Sequence, residues 1–516
     1  MAKSIDVPEV FNQAQYLIDR HLDEGRAGNT AVHYEDRQIT YAALSAMVNR
    51  TGNALKSLGV EIENRVMLIL PDCPEFLSSY LGAMKIGAVP VPVNTLASDQ
   101  DYKYFLNNSR ARVLIVSEEA LPKIQSIKSE LKYLRNIIVV GQASDKALSY
   151  DQLTAGASDK LEPAETSKDD MAFWMYTSGT TALPKGVVHL HHDLVYYIPP
   201  FCEDILQVTK QDIVFSTSKM FFSYGRNNSL ETPLMYGASA VLYPQWPDVQ
   251  SVFRVIEKYR PTLFFSVPTF YAALLREVEK GEQTFDLSSI RLCLSAGEAL
   301  PKSLFYDWQA KFGLQILDAV GSTDVGGIYL SNYPGEVKPG SSGKLLSGFE
   351  GKLKGEDGNI ATQGDVGTLW LKNDGVASLY WNRHQRSKEV FEGEWFNTGD
   401  LFYEDGDGYL WYQGREDDMF KVSGQWTSPI EIEEILLSHP AVRESGVVGM
   451  PDASGLTRVS AYIVLNDGFQ ESTELKDELT GLVYDRAAHF KTPRVLHFVP
   501  ELPRTTTGKL QRHKLR

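Results

Sequence analysis

Short, continuous apolar runs recur along this chain, each pair separated by enough residues for a helix, and that rhythm restricts it to a narrow set of folds. Residues 66–70, 113–116, 137–140, 213–215, 263–267 and 291–294 are such runs. A strand that is apolar at every position must be covered on both faces, which is the pattern of α/β sheets clad in helices. Leu44, Val48, Leu55 and Leu58 fall near one helical face just ahead of 66–70, so a helix is expected to feed that strand. The polar stretch 142–170 reads as a loop between subdomains. After about residue 330 the pattern changes to glycine-punctuated short strands, at 343–353 and 364–372, as a small β-rich subdomain would need. Gly414-Arg415-Glu416-Asp417-Asp418 is charged and turn-prone, and marks a boundary. Beyond it, Ser428-Pro429-Ile430-Glu431 carries a capping box with proline at the first helical position, so a helix is expected toward Ser438, with strands at 459–465 and 495–499. The expected fold is α/β. A large N-terminal domain of two helix-covered sheets and a small β-rich subdomain occupies 1–416, and a small, mobile α+β domain occupies 417–516.

With 516 residues the chain exceeds what one core serves, and 43% hydrophobic with 23% charged residues is the balance of an ordinary globular protein. A net charge of -15 excludes an extended nucleic-acid surface, so any nucleotide must be met locally. Cys73, Cys202 and Cys293 are too few and too scattered for a disulfide framework or a metal knuckle. The N-terminal residues lack the apolar stretch of a signal peptide, and no run is long enough to span a membrane. The expectation is a cytoplasmic protein, monomer or homodimer.

Thr177-Ser178-Gly179-Thr180-Thr181-Ala182-Leu183-Pro184-Lys185-Gly186 combines hydroxyls, glycines and one lysine in a loop rich in donors for phosphate oxygens. It is not a Walker loop, because Pro184 precedes the lysine and Val187-Val188 follow it. By itself it is also compatible with a surface turn. Asp318-Ala319-Val320-Gly321-Ser322-Thr323-Asp324 sets a hydroxyl beside a carboxylate, suited to phosphate and Mg²⁺, and equally an ordinary turn. In Thr398-Gly399-Asp400, Asp400 suits two ribose hydroxyls, and the Arg415 fork suits ribose or phosphate oxygens. Near the C-terminus, Thr505-Thr506-Thr507-Gly508-Lys509 places a lysine on a turn, or simply opens a basic tail. His189, His191 and His192 stand together without an evident partner set for a metal. No Gly-x-Ser-x-Gly, His-Glu-x-x-His or Gly-x-Gly-x-x-Gly is present.

These segments, in this order and together with Ser295-Ala296-Gly297-Glu298-Ala299-Leu300, resemble the AMP-forming acyl- and aryl-CoA synthetases over essentially the whole chain. Lys219-Met220-Phe221-Phe222-Ser223-Tyr224-Gly225, Tyr329-Leu330-Ser331-Asn332 and 421–429 look most like the benzoate-CoA ligase branch. The resemblance implies an acid–thiol ligase using ATP, Mg²⁺ and coenzyme A on a small carboxylic acid such as benzoate or a related six-membered ring. It implies that Gly297, Glu298 and Ala299 line adenine with Asp318 at its amino edge, that Asp400 and Arg415 hold ribose, and that the 177–186 loop, Lys185 included, takes the pyrophosphate. Ser322 would join the nucleotide site, Thr323 would touch the α-phosphate and Asp324 would hold the metal. Lys509 would bridge the acid and the α-phosphate.

The same resemblance implies a hinge at Asp417, about which the C-terminal domain rotates to bring Lys421 and Gly424 toward the thiol tunnel. Phe222, Ser223, Tyr224, Gly225, Gly326, Gly327 and Ile328 would line the acyl pocket. Gly326-Gly327 replace bulkier residues of the benzoate branch, so a wider pocket is expected there. Ala182 and Asp324 stand where relatives usually have glycine and glutamate. Alternatives are an aryl-adenylating enzyme that loads a carrier protein, a luciferase-like oxidising member, and a non-catalytic nucleotide-binding protein.

Overall fold

The computed structural model describes residues 6–142, 147–177, 183–281, 285–422, 425–452, 455–504 and 510–516. The apolar runs form the strands of two helix-covered sheets. One is five-stranded and parallel, ordered Val89–Pro92, Arg65–Ile69, Val113–Ser117, Asn136–Val140, Leu148–Ser149. The other is nine-stranded, and its central strands Ile316–Gly321, Leu292–Ala296, Leu263–Ser266, Ile213–Ser216, Ser239–Leu242 and Thr30–Tyr34 are parallel. Alternate residues explain how the sheets pack. Val66, Leu68, Val113 and Ile115 of the first share one apolar cluster with Val214, Leu263, Phe265, Leu294 and Leu317 of the second. The opposite faces, with Met67, Leu114 and Val116 on one sheet and Phe215, Phe264 and Cys293 on the other, pack into separate clusters under helices. Cys73, Cys202 and Cys293 are buried and unpaired.

Part of the expected loop at 142–170 is ordered. It holds the edge strand Leu148–Ser149 and the helix Tyr150–Ala155. One aromatic does this work, because buried Tyr150 bonds through its hydroxyl to Ser78 and Thr51 at 2.7 and 2.6 Å, an anchor that the polar composition around it conceals.

A three-stranded antiparallel sheet, Leu379–Tyr380, Lys185–Leu190 and Met171–Thr177, joins the two large ones, and Thr177 pairs with Lys185 at the end of its hairpin. The β-rich subdomain is antiparallel, built on Gly367–Lys372, Trp395–Glu404 and Leu410–Arg415. The C-terminal domain sets helices Pro429–Leu437 and Thr473–Arg486 against the sheet Val442–Pro451, Thr457–Leu465, Val495–Phe498. It has its own core, including Phe420, Ile432, Ala461 and Leu479. Ser428 caps the Pro429–Leu437 helix by accepting from the Glu431 amide, but the reciprocal half of the expected box does not form. The Glu431 carboxylate pairs with Lys491 instead. Among the described residues no helix is long and apolar enough to cross a membrane.

The helices Tyr41–Ser57 and Pro74–Lys85 cross at glycine. A Cβ on Gly82 would sit 2.8 Å from the Val48 carbonyl oxygen and 3.0 Å from the Gly52 nitrogen. Gly82→Val should therefore cost about 1–3 kcal/mol or more, read as a lowered thermal midpoint, and an unchanged midpoint would contradict this packing.

Candidate active site

In a parallel sheet the loops leaving the carboxyl ends of the strands converge, and here three of them carry motif residues. Leu292–Ala296 runs into Gly297, which turns the chain at φ +96, a region that side chains other than glycine's rarely enter. Glu298 and Ala299 follow, and the Leu300 amide points back to Asp318 Oδ2 at 3.5 Å. Asp318 lies in the neighbouring strand Ile316–Gly321 and is buried, and its Oδ1 has no hydrogen-bond partner among the described residues. Burial pushes its carboxyl up to about 8.

The Ser322–Thr323–Asp324 turn follows that strand. Ser322 Oγ accepts from the Val325 amide at 3.2 Å and holds the turn. Asp324 Oδ1 accepts from Lys185 Nζ at 3.0 Å and from the Tyr380 hydroxyl at 2.5 Å. Lys185 Nζ also lies 3.8 Å from the centre of the Tyr380 ring. Burial alone would raise the Asp324 carboxyl, but the Lys185 charge, the Tyr380 hydroxyl and Arg415 outweigh it and hold it below the usual carboxylate range. For Lys185, burial is the largest influence and lowers the ammonium, with Asp324 opposing. Asp400 and Arg415 face each other across paired strands, Arg415 donating to Asp400 Oδ1 and to the Thr398 carbonyl, each at 3.0 Å.

The segment 219–225, expected from the sequence to wall the acyl pocket, leaves the strand Ile213–Ser216. Lys219 is buried, donates to the carbonyls of Tyr243 and Gln245, and so anchors the turn. Ser223 Oγ lies 3.2 Å from Thr323 Oγ1, which joins the wall to the Gly-Ser-Thr-Asp turn. The Tyr224 hydroxyl donates to the Leu294 carbonyl at 3.2 Å, and its ring stands edge-on to Phe265. Phe222 packs edge-on against Phe221. Gly225 is there for close packing, since a Cβ would lie 2.1 Å from the Lys219 carbonyl oxygen. Ile328 is buried beside Gly321.

The extra room expected at Gly326-Gly327 is not there. Side-chain atoms at these positions would meet Tyr197, whose ring lies 2.8 Å from an ideal Cβ on Gly326 and 3.0 Å from one on Gly327. Tyr197 is fully buried and donates to Glu231 at 2.9 Å, so its ring already occupies the space the glycines give up.

Sequence reasoning passed over three features. Tyr380 is remote in sequence from the motif it completes. His189 is bound on both sides: Nε2 donates to the Thr323 carbonyl at 2.8 Å and Nδ1 pairs with Asp193 Oδ2 at 2.7 Å. Asp193 is thus a carboxylate adjoining the histidine cluster, and burial raises its pKa, yet it serves the Thr323 turn rather than a metal. His191 Nδ1 accepts from the Gln13 amide, and among the described residues no group of three or more His, Cys, Asp or Glu could hold a metal ion. Third, Arg504 of the C-terminal domain reaches Glu298 at 3.0 Å and Glu444 at 2.7 Å. Thr177 and Lys185 are described and pair across the hairpin, whereas Ser178, Gly179, Thr180, Thr181, Ala182, Gly424 and Lys509 lie outside the described residues. Arg504 and Leu510, on either side of residues 505–509, form a β-bridge. Lys421 is not at the site, because it pairs with Glu356 of the β-rich subdomain at 3.7 Å.

Comparison with known proteins shows the family. The AMP-binding enzyme family model matches residues 19–381, and the AMP-binding enzyme C-terminal domain model matches 431–509. The chain is 41% identical over 518 residues to benzoate–CoA ligase of Thauera aromatica, covering 99% of this chain and 97% of that protein. The crystal structure of an anthranilate CoA ligase in complex with anthranoyl-AMP superposes with a TM-score of 0.93 at 39% identity, covering 99% of this chain and 97% of that one. A benzoate CoA ligase from Burkholderia xenovorans LB400 gives a TM-score of 0.89 at 38% identity, covering 98% and 100%. With both family models matched in order and full-length relatives of this kind, the chain belongs to the AMP-binding enzymes, among the AMP-forming acid–CoA ligases.

Proposed function

We propose that this enzyme activates benzoate or a closely related monocyclic carboxylic acid with ATP and passes the acyl group to coenzyme A. The observation that carries the reading is the pairing of unlike sites on one strand and its turn. Asp318 keeps a buried, unpartnered carboxylate oxygen at one point, and six residues on Asp324 engages the hairpin lysine. The first suits the amino group of adenine and the second suits phosphate. Asp400 with Arg415 is assigned to ribose, Gly297, Glu298 and Ala299 to the adenine faces, and Thr323 to the α-phosphate. Phe222, Ser223 and Tyr224 form the acyl wall, joined to the phosphate turn by the Ser223–Thr323 contact.

Asp324 is assigned to Mg²⁺. Its carboxyl is held ionised, and the chain offers this one carboxylate at the turn. That donor set fits magnesium, which keeps several waters and takes its remaining oxygens from phosphates. When bound, the ion would neutralise phosphate charge. Lys185 performs the same service from the other side, and His189, fixed by Asp193, holds the Thr323 carbonyl and with it the turn.

In the first half-reaction a carboxylate oxygen of the acid attacks the α-phosphorus and the bond to pyrophosphate breaks. In the second the coenzyme A sulfur attacks the acyl carbonyl, the carbonyl–oxygen bond to AMP breaks with its electron pair, and the thiol proton is lost. Lys509 is assigned to the first step, and Lys421 with Gly424 to the second, after rotation about Asp417 of a C-terminal domain that we place at 417–516. Support for this order comes from Arg504, which ties the arm leading to Lys509 to Glu298, while Lys421 is occupied elsewhere. The buried free thiols suit a reducing, cytoplasmic location.

Three measurements test the proposal. Lys509→Ala should slow acid-dependent pyrophosphate exchange by roughly 100- to 1000-fold while sparing thioester formation from preformed acyl-adenylate, and equal damage to both steps would reject the assignment. Because Tyr197 fills the space beside the glycines, planar aryl acids should exceed cyclohexane carboxylate in kcat/KM by roughly tenfold or more; parity between them would restore the wider pocket. Finally, an unfolded aspartate loses its proton near pH 4, whereas folded Asp318 keeps it to about 8. Ligand-free stability therefore falls as pH rises through that window. Asp318→Asn removes the loss, so its thermal midpoint should gain on the wild type between pH 4 and 8 while AMP binding weakens. A pH-independent difference would show that Asp318 is not titrating there.

A further inference from the structure

A second, strongly positive cavity lies at the other end of the first sheet. Arg65 opens the strand Arg65–Ile69, Arg112 immediately precedes Val113–Ser117, and Arg135 immediately precedes Asn136–Val140. All three therefore stand at the amino ends of parallel strands, away from the carboxyl ends that carry nucleotide sites in such sheets. Arg110 joins them from the end of the helix Asp99–Ser109, where the backbone turns left-handed at φ 56. Together with Lys132 they surround a half-open cavity of about 450 Å³, completed by Tyr133 and Leu134, with no carboxylate in its lining.

In a chain of net charge -15, four arginines and a lysine around one cavity call for an explanation. Among the described residues none of the five takes part in an ion pair. Arg65 is spent on structure, donating to the carbonyls of Ser109 and Glu63. Burial and then the positive charge of Arg110 lower its guanidinium pKa, Arg112 adds to this and Glu63 opposes it, so the neighbouring cations do repel one another. Arg110, Lys132 and Arg135 are exposed, with donors available to a ligand. Guanidinium forks match phosphate oxygens in shape and charge, and the volume is that of a small-molecule site.

We propose that this cavity is a binding site for a small oligophosphate, separate from the nucleotide site of the ligase reaction. A bound polyanion would cancel the repulsion that the ligand-free protein carries, and exposed Tyr133 offers a ring for a base where the phosphates belong to a nucleotide. The site also has a built-in reporter. The Arg65 and Arg110 guanidinium groups lie 5.5 and 5.6 Å from the Trp381 ring, and the Trp381 amide donates to the Gly186 carbonyl beside Lys185.

The test is titration of the full-length protein with inorganic triphosphate in EDTA at low ionic strength, followed by calorimetry and tryptophan fluorescence. Binding should persist in Lys185→Ala, weaken by roughly tenfold or more in Arg110→Ala/Arg135→Ala, and fall as salt rises. Removing mutually repelling surface charges should leave the variant's ligand-free thermal midpoint at or above the wild-type value, and triphosphate should raise the midpoint of the wild type only. Lys132→Ala/Arg135→Ala provides an independent second variant with the same expectation. ADP binding more tightly than inorganic pyrophosphate identifies a nucleotide ligand, and equal affinities identify a bare phosphate chain. Loss of binding in Lys185→Ala with retention in both arginine variants would overturn the proposal, as would absence of binding to the wild type.

Discussion

The two large sheets are held by one apolar layer that belongs to both, and the geometry of the active site follows from it. Val66, Leu68 and Ile115 from one side meet Leu263, Phe265 and Leu294 from the other in a single cluster, so neither sheet can slide without opening the core. The phosphate hairpin is fixed by the same device. Phe173, Met175 and Val187 enter the shared layer, whereas Trp174 and Val188 enter the cluster on the far face of the first sheet. A hairpin whose alternate residues are pinned in two cores cannot shift register. Lys185 therefore arrives at Asp324 with little freedom left to lose, and the contact costs little ordering when phosphate binds.

How much of this the sequence discloses depends on the range over which each feature is determined. Buried strands declare themselves locally, because double-sided burial demands apolar residues throughout, and the runs at 113–116 and 263–267 appear within a residue or so of their expected bounds. Asp400 and Arg415, each picked out by its motif, stand opposite each other because consecutive antiparallel strands carry them, a pairing that the motifs themselves do not state. What stays hidden is decided by partners far along the chain. Nothing near Tyr380 indicates that its hydroxyl will meet Asp324, 56 residues away. Gly326 and Gly327 read as empty space, but a glycine leaves room only if no neighbour claims it, and Tyr197 does. The helix Tyr150–Ala155 escapes notice in the same way, because a single buried ring fixes an otherwise polar segment.

Among the described residues, the cations at the site are each held by a carboxylate: Lys185 by Asp324, Arg415 by Asp400, Arg504 by Glu298 and Glu444. This matters for a protein whose substrates are themselves anionic. An unpartnered lysine in a part-buried cleft would be pushed toward its neutral form, as burial already pushes Lys185, and a neutral amine stabilises no phosphate charge. Asp324 opposes that shift and holds Lys185 in place. Asp318 is the opposite case. It has no cation, it is buried, and its proton is retained well above the usual range, which is the signature of a group whose partner comes from outside the chain.

Different constraints apply to the contacts between the C-terminal domain and the rest. Lys421–Glu356 joins two half-exposed side chains at 3.7 Å, and such a pair contributes about 0–1 kcal/mol. Arg504–Glu298 is less exposed, yet Glu444 within the same domain also accepts from Arg504, so the arginine keeps a partner when Glu298 is released. The C-terminal core is a separate cluster that shares no residue with the layer between the sheets. A domain that folds around its own core, and meets the rest through ion pairs of this kind and the hydrogen bond from the Ser428 hydroxyl to the Gln413 carbonyl, can leave one pose for another without breaking that core. The proposed pair of half-reactions at one nucleotide calls for such freedom, because a lysine placed to assist attack on phosphorus would stand in the path of the incoming thiol.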